Sequence, residues 1–217
     1  TQAGERIKGI EDYLTSAQYA QGTPHEGKVV EDILDQFPLL SRGNKFHAML
    51  ATSSIPEAIN YYRLFKERAP QMHVTALFDP NVDNSNGAIL KGDALQEIIG
   101  DYNELFGKDF IIPTWPKMKK DITARLSHKR PYLTVDQHRE ERIDLLIVVD
   151  QMLTGFDSKW VNTLYLDKII DYENIIQAFS RTNRLFGPDK PFGTIRYYRK
   201  PHTMKGYIEA AVKLYSG

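Results

Sequence analysis

The chain has 217 residues, with 28 basic and 28 acidic side chains, six histidines and no cysteine. That length suits one large domain, or one domain with appendages, and is enough to bury a sizeable core. Lack of cysteine excludes disulfides and thiolate-held metals, zero net charge excludes global attraction to nucleic acid, and the absence of a long apolar run or signal-peptide pattern predicts a soluble, cytoplasmic protein without membrane contact.

Residues 1–44 read as a helical lead-in carrying four bases and seven acids. Within it "GTPHEGKV" nearly spells a phosphate loop: Gly22, Gly27 and Lys28 fit G-x-x-x-x-G-K. Val29 stands where a Ser or Thr hydroxyl would hold Mg²⁺, and no alternating strand precedes the glycine. Thr23-Pro24-His25-Glu26 reads instead as a capping box, with Thr23 as N-cap and Pro24 as first helical residue. Val29, Val30, Ile33, Leu34 and Phe37 then form an apolar helical face that Pro38 is expected to end. Glu26-Gly27-Lys28 also echoes the E-x-K of some metal-dependent nucleases, but lacks their strand and their upstream acid.

Five short segments read as strands: 45–51, 72–78, 143–149, 161–167 and 193–199. The third, "IDLLIVV", is almost unbroken apolar, as a strand covered on both faces must be. Ser54-Ile55-Pro56-Glu57 is a second capping box, opening a helix to about Arg68. More than sixty residues separate the second and third strands, too many for a plain connection. They hold the turn-rich "DPNVDNSNG", a helix over 93–106, the kink "IIPTWP" and a basic helix over about 117–128. This stretch, about 79–140, reads as an insertion or an elaborated crossover. A further helix is expected from Tyr172 to Asn183, and residues 201–217 form a helical tail. Strands alternating with helices predict an α/β fold with a mostly parallel sheet flanked by helices.

Charge is unevenly spread. Residues 79–109 hold seven acids and two bases, 117–142 eight bases and four acids, and 181–205 seven bases and one acid. Such runs read as solvated faces or as polyanion contacts. None of the six histidines falls in an H-x-x-x-H arrangement, so no metal site is expected.

Two stretches carry chemistry. In "LLIVVDQMLTGFD" a buried strand runs into a loop containing Thr154, Gly155 and Asp157, and ligands of open α/β sheets bind outside the carboxyl ends of strands. Gly155 lets backbone approach a ligand, and Asp157 offers a carboxylate. In "QAFSRTNR" helical spacing puts Gln177, Arg181 and Arg184 on one face. Two guanidiniums pointing together suit nucleotide phosphates, although a pair of surface arginines bridged to acids has the same spacing.

Taken together, a strand with T-G-x-D, a strand "TLYLD" and a helix with Q-x-x-x-R-x-x-R resemble motifs V and VI of superfamily-two helicases, and "AMLATSS" resembles motif IV. "DLLIVVDQMLTGFDSKWVNTLYLDKII" followed by "IIQAFSRTNR", with Ser180 in place of the motif VI glycine, is similar to the motor subunit of type I restriction enzymes. The specific match covers about 143–199, and a looser one starts near 45.

The resemblance implies a RecA-like second motor domain over 45–200. ATP would lie in a cleft against a first RecA-like domain, which would supply the phosphate loop and the Mg²⁺-binding acids. Arg184 would be the arginine finger and Arg181 its partner, Gly155 and Asp157 would lie near the nucleotide, and Gln177 would orient the arginines. Thr52, Ser53, Asp150 and Thr154 would touch the backbone of double-stranded DNA. The remaining partners implied are a nuclease domain of the same subunit and the specificity and methylation subunits. One departure is Val149, where many members carry Thr before the motif V Asp. The sequence contains no D-E-x-H or D-E-A-D motif and no nuclease signature, so this chain alone is expected to be inactive. The alternatives are a DNA-repair or remodelling translocase and a degenerate, non-catalytic RecA-like binding domain.

Overall fold

The computed structural model describes residues 9–19, 22–79, 88–149, 158–170, 172–180 and 182–216. Its centre is a five-stranded sheet of β1 (His47–Thr52), β2 (Val74–Leu77), β3 (Leu145–Val149), β4 (Val161–Asp167) and β5 (Thr194–Tyr197). The order is β2-β3-β1-β4-β5 and every pair is parallel, with Thr52 opposite both Val149 and Asp167. This is the parallel α/β sheet that the alternating pattern predicted and is consistent with the RecA-like fold that the resemblance implied. All five expected strands form, each within about two residues of its expected bounds.

Six helices flank the sheet among the described residues: α1 (Pro24–Leu40), α2 (Ile55–Arg68), α3 (Ala88–Phe106), α4 (Trp115–Leu126), α5 (Tyr172–Phe179) and α6 (Pro201–Ser216). Val29, Val30, Ile33 and Phe37 of α1 and Ala58, Ile59, Tyr62 and Phe65 of α2 enter the same apolar core as the strands, as their spacing required. Pro38 does not end α1; it sits two residues inside. Proline's missing N–H removes one bond near the end, and Ser41 N–H to Phe37 O (2.8 Å) and Gly43 N–H to Pro38 O (3.0 Å) close the final turn.

Because β2 and β3 are sheet neighbours, the long segment between them is their crossover connection. Its helices α3 and α4 bury Ala94, Ile98, Tyr102, Met118 and Ile122 in the common core. Arg125 of α4 is buried between the rings of Phe106 and Tyr132 (4.0 and 4.1 Å) and hydrogen-bonds Asp121 at 3.0 Å, so its charge is neutralised internally.

At the edge where strands begin, His47 donates from Nδ1 to Ile143 O (2.5 Å) and meets His128 Nε2–Nε2 at 2.9 Å; His128 stacks on Trp160 at 3.7 Å. Burial holds both imidazoles below their ordinary range, His128 at about 4. The lead-in joins the tail through Glu11, whose carboxylate accepts the His202 and Thr203 N–H groups at the start of α6, each at 2.8 Å.

Candidate functional site

Strands β1, β3, β4 and β5 end together on one edge of the sheet, the edge where open α/β folds bind ligands. After β1, Ser54 caps α2 by accepting the Glu57 N–H (3.4 Å), while the Glu57 carboxylate accepts the N–H of exposed Ser53 (3.1 Å). The Ser54 half of the second capping box is therefore present, but the Glu57 carboxylate returns to Ser53, the residue before the cap, and so does not close the expected box.

Thr52 differs from expectation. It is fully buried, and its hydroxyl lies 3.3 Å from Val148 O and 3.2 Å from Ser54 O, so it tethers the loop inward and does not face an external backbone. Asp150, Thr154, Gly155 and Asp157 lie outside the described residues. Their flank is well anchored: buried Ser158 donates to Leu126 O at 2.6 Å.

A buried ionic network, missed in the sequence, joins the ends of these strands. Asp167, the last residue of β4, accepts Arg199 Nε and an Arg199 terminal nitrogen (both 3.0 Å), Tyr61 Oη (2.7 Å) and His25 Nε2 (2.6 Å). Arg199 also reaches Glu57 at 3.0 Å and lies over the Tyr19 ring. Burial alone would raise the Asp167 pKa, but these hydrogen bonds and the arginine charge outweigh it and hold the group at about 2. The network thus ties the start of α2, β4, the second residue after β5 and the start of α1 into one block. A carboxylate closing the apolar run "TLYLD" was its only sign in the sequence.

The "GTPHEGKV" segment contributes to this block structurally. Gly22 takes φ +79°, α1 starts at Pro24, and Lys28 is exposed on the helix, so no phosphate cradle forms. Thr23 is the N-cap residue, yet its hydroxyl makes no capping bond. Buried Glu26 reaches back to Gly22 N–H (3.3 Å) and to Asn60.

Gln177 is exposed on α5. That helix ends at Phe179, not Asn183, so helical spacing does not carry through to Arg184. Thr182 and Asn183 still bond back to Phe179 O (both 3.2 Å), and exposed Arg184 follows. Arg181 lies outside the described residues. Gly193, just before β5, faces the backbone of buried Thr182: a Cβ at Gly193 would sit 2.6 Å from the Thr182 carbonyl carbon. On the other side Phe186 packs on Trp160 at 4.6 Å. Fully buried Lys190 donates from Nζ to Val161 O (2.7 Å) and Lys159 O (3.1 Å), and burial lowers its pKa to about 8. Arg184 therefore sits on a segment pinned on both sides.

Among the described residues, no group of three His, Asp or Glu side chains could hold a metal, and no helix is long and apolar enough to cross a membrane.

The family described as type I restriction enzyme subunit R domain 3 matches residues 44–200. The type I restriction enzyme SauCOLORF180P endonuclease subunit of Staphylococcus aureus (strain COL) is 32% identical over 196 residues, 87% of this chain and 20% of that protein. The SsaAORF53P endonuclease subunit of Staphylococcus saprophyticus is 33% identical over 197 residues, again 87% and 20%. A putative type I enzyme subunit of Methanocaldococcus jannaschii, MjaVIIP, is 33% identical over 100 residues, 46% of this chain and 9% of its own length. The chain spans about a fifth of the length of the staphylococcal relatives. With its parallel α/β sheet and a family match across the whole sheet region, the chain belongs to the type I restriction enzyme R-subunit family, in the part described as domain 3.

Proposed function

We propose that this chain is the second RecA-like motor domain of the ATP-dependent, DNA-translocating subunit of a type I restriction endonuclease. The observation that supports it best is the pinned segment after α5, which presents Arg184 to solvent while Thr182 and Lys190 are buried on either side of it. An arginine finger has to be held in that way, since its contribution depends on preorganised charge.

ATP is the substrate in this reading. Arg184 stabilises the charge on the transferred phosphoryl group, Arg181 assists it, Gln177 orients the arginines, and Gly155 and Asp157 lie beside the nucleotide. Mg²⁺ would be held by acids of a first motor domain and would supply charge neutralisation at the phosphates. Ser53, Asp150 and Thr154 touch the phosphates of duplex DNA without reading sequence. Thr52 steadies the loop that carries Ser53. The partners are the first motor and nuclease domains of the subunit, with specificity and methylation subunits completing an assembly that translocates and cleaves DNA. The chain by itself hydrolyses no ATP.

The test is Arg184→Lys in the complete subunit. Lysine keeps the charge but loses the planar fork, so kcat for ATP should fall by about 10³–10⁵ with nucleotide binding retained. A near-normal kcat overturns the reading.

A further inference from the structure

Helix α4 has an exposed basic start that the internal packing does not use. Lys117, Lys119 and Lys120 are all exposed and have no acidic partner among the described residues. Asp121, the acid nearest in sequence, is already occupied by Arg125, Tyr102, Tyr132 and Lys108. No acid occupies the first turn of α4. Lys117, within that turn, opposes the helix dipole. The local sequence thus accumulates positive charge where neither the helix nor a neighbour compensates it.

Position gives this charge a partner. Trp115, the first residue of α4, packs against Phe78 at 6.0 Å, and Phe78 directly follows β2. The lysines therefore start at the carboxyl edge of the sheet, the edge that carries exposed Ser53 after β1. In the order β2-β3-β1 one strand separates the end of β2 from the end of β1, with neighbouring strands about 4.8 Å apart.

We infer that Lys117, Lys119 and Lys120 extend the DNA-contacting edge into a phosphate track for duplex DNA, lying beyond β2. This rests on the motor reading above. Lysine is a point charge without the fork that recognises base edges, so the track positions the duplex and carries no sequence preference. The exposed residues of α4 are Pro116, Lys117, Lys119 and Lys120, while Thr123 and Ala124 are half-buried and Trp115 is buried. No aromatic ring is available for stacking, which favours a duplex over a single strand.

The experiment measures binding of the purified 217-residue chain to a labelled duplex of arbitrary sequence across a salt series. The variant is Lys117→Gln/Lys119→Gln/Lys120→Gln, with Lys28→Gln on α1 and Lys205→Gln/Lys213→Gln on α6 together as the charge-matched control, all three exposed. Each phosphate contact contributes about 0.9 to the slope of log K against log salt, so the triple variant should lose roughly 2–3 from it and the control almost nothing. Equal slopes for wild type and triple variant, tighter binding to a single strand, or no duplex binding by the wild type would each overturn the track. Those outcomes leave the motor reading intact, because it is judged by ATP hydrolysis in the Arg184 variant.

Discussion

Gly193 faces the peptide group of Thr182 so closely that its hydrogen occupies the space where any side chain would begin. The obstacle is backbone, which cannot swing aside as a side chain can. Gly193→Ala must therefore displace the segment leading to Arg184. In the complete subunit this should lower kcat for ATP by about 10²-fold, the scale of an ångström-sized misplacement, with nucleotide affinity much less changed. Steady-state turnover beside direct nucleotide binding checks it. Unchanged kcat would mean that the segment yields without moving the arginine.

The two helix starts should respond differently to loss of their hydroxyls. Ser54 accepts a capping bond from Glu57, and Ser54→Ala should cost about 1 kcal/mol in urea unfolding. Thr23 makes no such bond, so Thr23→Ala should cost clearly less than an ordinary cap, about 0.5 kcal/mol or under. Equal losses would show that Thr23 caps α1 in solution.

Asp167→Ala leaves Arg199 buried with Glu57 as its one ionic partner among the described residues. Breaking a buried pair in this way should destabilise the fold by about 3 kcal/mol. The same group predicts acid sensitivity. Its folded pKa of about 2 lies below the ordinary 3.8, so its stabilisation is complete above pH 3.8 and is lost as pH falls through 2. Denaturation midpoints of wild type and variant should converge over that range.

A second pH window belongs to His47 and His128. Both are held neutral by burial, with His128 at about 4 against an ordinary 6.5. The unfolded chain binds protons first, so stability should be full above pH 6.5 and decline toward pH 4. His128→Phe, which keeps a ring over Trp160, should make that decline shallower, even if its midpoint at neutral pH is lower. Thermal melts at several pH values check the slope.

Local pattern decided the element types. The apolar run 143–149, the Ser54 cap of α2 and the apolar faces of α1 and α2 each depend on neighbours within a few residues, and each formed as read. The resemblance in "TGFD" and "QAFSRTNR" was likewise a property of order along the chain. Errors arose where local signals competed with packing. Pro38 sits inside α1 because the final turn was stabilised by other bonds, and Thr52 turned inward because its strand end was buried.

Strand order, the inward turn of Thr52 and the Asp167 network were decided by tertiary structure. His25 and Asp167 are 142 positions apart, and Arg199 is 32 beyond Asp167. Periodicity reports which face of an element is apolar; it says nothing about which distant charge will lie against it. Nor does a glycine before a strand reveal that another backbone will fill the space beside it, as Thr182 does at Gly193. These contacts are set by how the parallel sheet orders its strands, because that ordering alone brings the ends of β1, β4 and β5 together.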